Sequence, residues 1–207
     1  NSQEVEVALQ GGCSRSHGVK SFKIKTNKRT GDNKFQYNKF FADRDYTKYK
    51  ALTLRNGGNG FGYLFPRWRD GYMQNLAKGM NIDLQAYMPV AYFLNGKFHG
   101  MMGLRERMDE TYINQNYGIE EDEIDFLKVV NGSGYVAQYG SNEDFYAMQE
   151  YAYEHFQDPD FFDKMCEMMD MNEYIDYQIL EQFVGNTDWV INNIKVWRKK
   201  NGGKWRW

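Results

Sequence analysis

Gly185-Asn186-Thr187-Asp188-Trp189-Val190-Ile191-Asn192-Asn193 is the stretch from which the fold of this chain is best read. Just before it, Ile175, Ile179 and Phe183 recur at i, i+4 and i+8. That spacing predicts a helix, with Asn172 as its cap and Gly185 as its terminator. Just after it, Ile194 and Val196 alternate with polar residues as in a half-buried strand. A turn at Asn201-Gly202-Gly203 follows, and then Lys204-Trp205-Arg206-Trp207, an aromatic/basic alternation that reads as a second strand. The order is therefore an apolar helix, a polar loop and a β-hairpin.

Working outward, two more helices precede this unit. Phe145, Met148, Ala152 and Phe156 lie at helical spacing within 141–156, and Phe162, Met165 and Met169 line a helix opened by Asp158-Pro159 as cap and first residue. The first half of the chain has a different texture. Val5, Val7 and Leu9 alternate, as does Lys20-Ser21-Phe22-Lys23-Ile24-Lys25, and Ala51–Arg55 is a third strand. A helix is predicted over about 69–78, with Gly79 near its end. Asn95-Gly96 sits between two apolar runs and suits a type I′ hairpin turn, whose central residues both need positive φ. A short helix from about Asp109 to Gly118 and a strand over Ile124–Val130, connecting the two halves, complete the pattern. The expected class is α+β, with a β-rich N-terminal lobe over 1–130 and a mainly helical C-terminal lobe over 131–207.

Composition narrows the function. Aromatic residues make up 17% of the 207 and apolar residues 42%, enough for a packed core. No run approaches the ~18–20 apolar residues that span a bilayer. A net charge of -2 gives no general attraction to nucleic acid. His17, His99 and His155 are scattered, and with Cys13 and Cys166 they form no zinc-ligand spacing. The two cysteines fall in different predicted lobes; two free thiols are the expectation, with a disulfide as the alternative. No Gly-x-Ser-x-Gly elbow is present, and Met165, Met168, Met169 and Met171 read as helix packing. The start at Asn1, with no basic or apolar leader, predicts an export signal already removed. The finish within a strand predicts a fragment of a longer domain.

Asp188 and Asn193 stand five residues apart, the spacing of the protein-kinase catalytic loop. There the Asp accepts the proton of a substrate hydroxyl and the Asn holds a divalent cation. Alone, the same residues could simply cap a turn and fill left-handed loop positions. Gly11-Gly12 reads as a hairpin turn, with a loose likeness to a phosphate-cradling loop. Arg55 and Asp70 could pair structurally, or Arg55 could reach a phosphate. Glu106, among Arg105, Arg107, Asp109 and Glu110, could belong to a surface ion-pair cluster.

Five ordered blocks resemble the CotH (spore coat protein H) kinase family. They are Arg15 with Lys20-Ser21-Phe22-Lys23-Ile24, Leu52 through Asn59, Phe93-Leu94-Asn95-Gly96-Lys97-Phe98-His99-Gly100, Gly103 through Glu110, and Gly185 through Trp197-Arg198. The resemblance runs from about Ser14 to Trp207. It implies an atypical protein-kinase-like fold that uses ATP with Mg²⁺ or Mn²⁺ to phosphorylate Ser or Thr in a protein, such as a Ser-rich coat or surface protein. By position, Asp188 is similar to the catalytic Asp and Asn193 to a metal ligand. Lys20 matches the phosphate-contacting lysine, with Lys23 and Lys25 as alternatives, and Arg15 and Glu106 complete the nucleotide-binding set, Glu106 as the lysine's acidic partner. Val19-Lys20 stands where the family often has paired lysines. The family's second metal-binding Asp, expected just past Trp207, has no counterpart here, so these residues alone are expected to be inactive. The implied location is the spore coat or the bacterial exterior. From another class, the alternative is a non-catalytic structural or glycan/protein-binding module of an exported surface protein.

Overall fold

The structure is a computed structural model. It describes the whole chain except residues 1, 17, 28, 30, 32, 38, 58–66 and 190–191 and the side chain of Cys13. Among the described residues are two antiparallel sheets and five α-helices, an α+β arrangement. The chain forms two compact units, one of Asn1–Lys78 with Leu84–Gln115 and one of Gly79–Asp83 with Asn116–Trp207.

The first unit is built on a five-stranded sheet ordered β1-β2-β3-β5-β4. Its strands are β1 (Val5–Gln10), β2 (Ser21–Thr26), β3 (Ala51–Arg55), β4 (Tyr87–Leu94) and β5 (Lys97–Glu106). The β4–β5 hairpin turns at Asn95 and Gly96 with φ of 51° and 78°, as the Asn-Gly pair predicts. Helix α1 spans Arg69–Leu76.

Register decides which side chains share a face. Phe22, Leu54, Leu104 and Met88 stand in one row across four strands, and Ile24, Leu52 and Glu106 in another. Between them runs Lys23-Thr53-Arg105-Tyr87, which alternation sends to the opposite face. The apolar rows pack with Met102 under Phe35, Phe41, Tyr49 and Ala86. Edge-on ring contacts, such as Phe41–Tyr49 at 5.5 Å between centroids, cover this face from the 35–49 segment.

α1 is seated through two glycines. A Cβ on Gly71 of α1 would lie 2.4 Å from the Tyr87 ring, and one on Gly103 of β5 would lie 2.6 Å from it. The ring thus fills the space that both residues leave, and Asp70, the neighbour of Gly71, comes within reach of the sheet.

The second unit pairs a three-stranded sheet, ordered β7-β6-β8, with helices α3 (Glu143–His155), α4 (Phe161–Met168) and α5 (Met171–Phe183). Its strands are β6 (Ile124–Val130), β7 (Gly134–Tyr139) and β8 (Lys195–Lys199). α2 (Glu110–Tyr117) begins in the first unit and ends in the second. β6, predicted as a connector, is the central strand of this sheet. The core gathers Leu127, Val129, Phe145, Met148, Met165, Met169, Ile194, Val196 and Trp205. Residues 205–206 extend the pairing: Trp197 and Arg206 exchange backbone hydrogen bonds of 2.9 Å. Cys166 is a free thiol.

Three sequence expectations shift. α5 is capped by Asp170, whose side chain accepts the Glu173 N–H, rather than by Asn172. α4 starts at Phe161 with Asp160 as its cap residue, two positions after Asp158. Ile175, Ile179 and Phe183 share a helix face as predicted, yet they are 44%, 54% and 79% exposed. Periodicity places side chains on one stripe but does not say that anything covers it.

Gly71→Ala and Gly103→Ala are each expected to destabilise the protein by about 1–3 kcal/mol through overpacking against Tyr87. For Gly71 that exceeds the ~1 kcal/mol a helix interior gains from Ala. Urea midpoints of the two variants test it; an unchanged or raised midpoint would remove Tyr87 as the spacer.

Candidate catalytic loop and nucleotide-binding residues

α5 ends at Phe183 with Val184 as its C-cap, and Gly185 turns the chain with φ of 60°. Asn186 ties the turn back to the helix. Its backbone N–H donates to Glu181 O at 3.0 Å and its Nδ2 to Glu181 Oε2 at 2.6 Å. Its own Oδ1 accepts the Asp188 N–H at 3.1 Å. Such Asx bonding supplies backbone partners in a segment that has no ladder.

Asp188 is exposed, and two amides hold its carboxylate. Asn192 Nδ2 donates to Oδ1 at 3.2 Å, and Asn193 Nδ2 donates to Oδ2 at 2.9 Å and to the Asp188 backbone oxygen at 3.2 Å. A carboxylate and a carbonyl only accept, so the Asn193 atom facing them is the NH₂ and its Oδ1 is directed elsewhere. Asn193 adopts φ of 59°, a left-handed conformation that Asn tolerates better than most residues. On either side the loop is pinned by apolar groups. Trp189 meets Tyr177 edge-on at 5.5 Å, and Ile194 is buried with its carbonyl accepting the Val129 N–H at 2.9 Å. The structure thus brings Asp188 and Asn193 together.

In the first unit the other expected residues separate into two groups. Lys20 Nζ donates to the Arg15 backbone oxygen at 2.7 Å, so these two are neighbours before β2. Ser21 Oγ donates to Asn56 Oδ1 at 2.8 Å, and Asn56 Nδ2 donates to Val19 O at 2.6 Å. This clamp sets Lys20 beside the C-terminal end of β3. Glu106 lies in the row of Ile24, four residues further along β2, about 13 Å from the level of Lys20. Its carboxylate is buried and accepts Arg44 Nε at 3.0 Å, Arg44 Nη2 at 2.9 Å and the Ala86 N–H at 3.1 Å. Glu106 is therefore the partner of Arg44, and Glu106 and Lys20 are not brought together. Lys23 and Lys25 stand on the face away from the apolar core. Burial, with Arg107 and Lys25 nearby, pushes Lys23 down to about 8.

A constellation that sequence reading weighed only in part lies on that face. Arg55 Nε is 3.5 Å from Asp70 Oδ2, and Arg105 donates to the same oxygen. Arg105, which one reading of Glu106 set in a surface ion-pair cluster, is buried, in the row Lys23-Thr53-Arg105-Tyr87 that α1 approaches. Burial raises the Asp70 carboxyl, but the Arg55 and Arg105 guanidiniums outweigh it and hold the group below its usual range.

The family model for the CotH kinase protein matches residues 7–207. The chain belongs to the CotH kinase family. No curated protein matches it. At the level of the family, a CotH domain implies a kinase-like activity using ATP and divalent metal, with a protein as acceptor. Among the described residues, no three His, Cys, Asp or Glu side chains converge on a metal site. The donors of this CotH loop are nonetheless hard oxygens, the Asn193 amide oxygen and the Asp188 carboxylate. They suit Mg²⁺ or Mn²⁺, which commonly takes one or two protein oxygens together with substrate phosphates and water.

The helix leading into the CotH loop carries a buried acid that sequence reading missed. Glu173 is fully buried, and its two carboxylate oxygens face the Trp207 N–H at 3.1 and 3.0 Å. Burial pushes its pKa from 4.5 up to about 8; the Trp207 N–H and Arg206 oppose the rise, while Asp83 and Asp170 add to it. Asp83 accepts Trp197 Nε1 at 2.7 Å, and Asp170 accepts from Arg206. Between 4.5 and about 8, the folded state keeps a proton that the unfolded state has lost. Stability from this group is thus full below 4.5 and declines as pH rises through about 8. Glu173→Gln should flatten the loss of stability between about pH 5 and pH 9, read as urea midpoints across that range. A variant slope equal to wild type would dismiss Glu173 as the titrating group.

Proposed function

We propose that this domain transfers the γ-phosphoryl group of ATP to a Ser or Thr hydroxyl of a protein. The observation that carries the reading is the Asp188–Asn193 arrangement: the Asn193 amide donates to Asp188, leaving its oxygen for a cation. Two functions five residues apart are thereby separated, proton acceptance on the carboxylate and metal ligation on the amide. Phosphoryl transfer depends mainly on such positioning and on charge stabilisation.

In this reading Asp188 accepts a hydrogen bond from the acceptor hydroxyl and orients its oxygen. That oxygen forms a bond to the γ-phosphorus, while the bond from phosphorus to the bridging oxygen breaks and its electron pair leaves with ADP. The hydroxyl proton passes to the Asp188 carboxylate, whose orientation is kept by Asn192 and Asn193. A divalent cation, when bound, neutralises phosphate charge. Asn193 Oδ1 would be one of its ligands. Lys20 and Arg15, tied to one another, would contact phosphate oxygens. The acceptor, by the family reading, is a Ser-rich protein of a spore coat or bacterial surface.

The test is label transfer from γ-labelled ATP, with Mg²⁺ or Mn²⁺, to a Ser-rich acceptor protein. Asp188→Ala should lower the rate by roughly 10²- to 10⁴-fold, the usual contribution of a positioned proton acceptor. Asn193→Ala should also lower it, and added Mn²⁺ should recover part of that loss. Transfer that survives Asp188→Ala would exclude this residue as the acceptor. No transfer and no nucleotide binding would instead favour a non-catalytic surface module.

A further inference from the structure

The face of the five-stranded sheet that α1 approaches carries more positive charge than its acids balance. By alternation Lys23, Lys25, Arg55 and Arg105 all belong to it, and Arg107 follows directly after β5. The acids answering them are Asp70, Asp109, which pairs with Arg107 at 2.9 Å, and Glu6, opposite Lys25 in the register. Burial of Lys23, beside Arg107 and Lys25, lowers its pKa, as a crowded cationic surface requires.

The excess is sharpest around Asp70. One carboxylate oxygen serves two guanidiniums, and they differ in exposure. Arg105 is 1% exposed, and its Nε and Nη2 have no hydrogen-bond partner. Leaving such donors buried and unmet is costly unless something else satisfies them. Arg55 is 40% exposed and touches Asp70 through Nε alone, at 3.5 Å. Its Nη1 and Nη2, the fork that matches two oxygens of a phosphate, make no described hydrogen bond. Gly103 stands opposite Arg55 across β3 and β5 and adds no side chain to that row. The Ser21–Asn56 clamp sets the Arg15–Lys20 pair beside this same end of β3.

We propose that Arg55, anchored by Asp70 of α1, is a further residue of the first unit, beside Arg15 and Lys20, that grips the phosphates of the nucleotide. The proposal rests on the phosphotransfer reading above and gives its nucleotide a specific contact. In protein kinases a cation on the third strand binds phosphates while paired to an acid on the helix that follows. Here the third strand supplies an arginine and the following helix an aspartate. Arg105, bonded to the same carboxylate from beneath, is a second positioning residue: it holds Asp70 to the sheet and leaves the outer edge of Arg55 free. Glu106, engaged by Arg44, has no part in this pair. Arginine makes the site one for bidentate oxyanion contact, so lysine is not an equivalent replacement.

The test is calorimetric titration of the 207-residue chain with ATP and, separately, with adenosine, both with Mg²⁺. Arg55→Ala should raise the Kd for ATP by roughly 10-fold or more, the range lost with one charge-assisted hydrogen-bond pair. Adenosine binding should stay unchanged, and Arg55→Lys should recover part of the ATP affinity. Asp70→Asn should also weaken ATP, with Asp70→Glu restoring it. Removing a negative charge would by itself tighten anion binding, so weaker binding reads positioning rather than net charge. Circular dichroism melting checks that each variant folds; if Arg55→Ala does not, Arg55→Gln replaces it. Folded Arg55 variants that bind ATP as wild type does would overturn the assignment while leaving the kinase reading intact. Tighter ATP binding by Asp70→Asn would overturn the anchor. No ATP binding by wild type would overturn the kinase reading, and this assignment with it.

Discussion

The strand register in the five-stranded sheet is the constraint on which the first unit depends. Lys23, Thr53, Arg105 and Tyr87 are aligned across β2, β3, β5 and β4, while the rows on either side are filled by Phe22, Leu54, Leu104 and Met88 and by Ile24, Leu52 and Glu106. A slip of one residue in any strand would drive charges into the Phe35–Tyr49 core and turn its apolar side chains outward. With this register, one sheet has a dry face that provides cohesion and an opposite face that is rich in cations. Tyr87 couples the two roles. Its ring sits between Gly71 and Gly103, and that spacing brings Asp70 to Arg55 and Arg105.

The second unit solves a different problem, that of holding a polar loop in one shape without a ladder of backbone bonds. It does so from both ends. Asn186 hydrogen-bonds back to Glu181 on α5, and Ile194 is buried directly after Asn193. Between these anchors the Asn192 and Asn193 amides converge on Asp188. Each bond is exposed and individually modest, on the order of 1 kcal/mol net. Their value lies in orientation, because together they fix how the Asp188 carboxylate and the Asn193 amide face each other.

Legibility followed the range of the interaction. The Asp188–Asn193 pair and its flanking helix and strand could be read directly, since five residues of loop and one turn of helix are local. The Asn95-Gly96 hairpin was equally plain, because its turn chemistry sits in two residues. Glu106 was open to two readings, a nucleotide-site acid or a surface charge, and it is a buried partner of Arg44, 62 positions away. Glu173 carried no signal at all, as an acid one turn into a helix ordinarily faces water. Its burial comes from the Trp207 backbone and the packing of Trp205 against Phe145. The apolar stripe of α5 shows the opposite case, a strong periodic signal whose residues remain exposed.

The sequence by itself determined the class of the fold, the order of its elements, the spacing of Asp188 and Asn193 and membership of the family, because these rest on periodicity, turn residues and short motifs. Only the tertiary structure decided the partners of the charges. Asp70, on α1, takes Arg55 and Arg105 from two paired strands, and Glu106 takes Arg44 from the segment between β2 and β3, because folding brings residues dozens of positions apart into contact. Burial then makes each such match expensive to leave unmade. That energy depends on neighbours a linear reading does not contain, and so the ion pairs of this domain are properties of its tertiary packing rather than of its motifs.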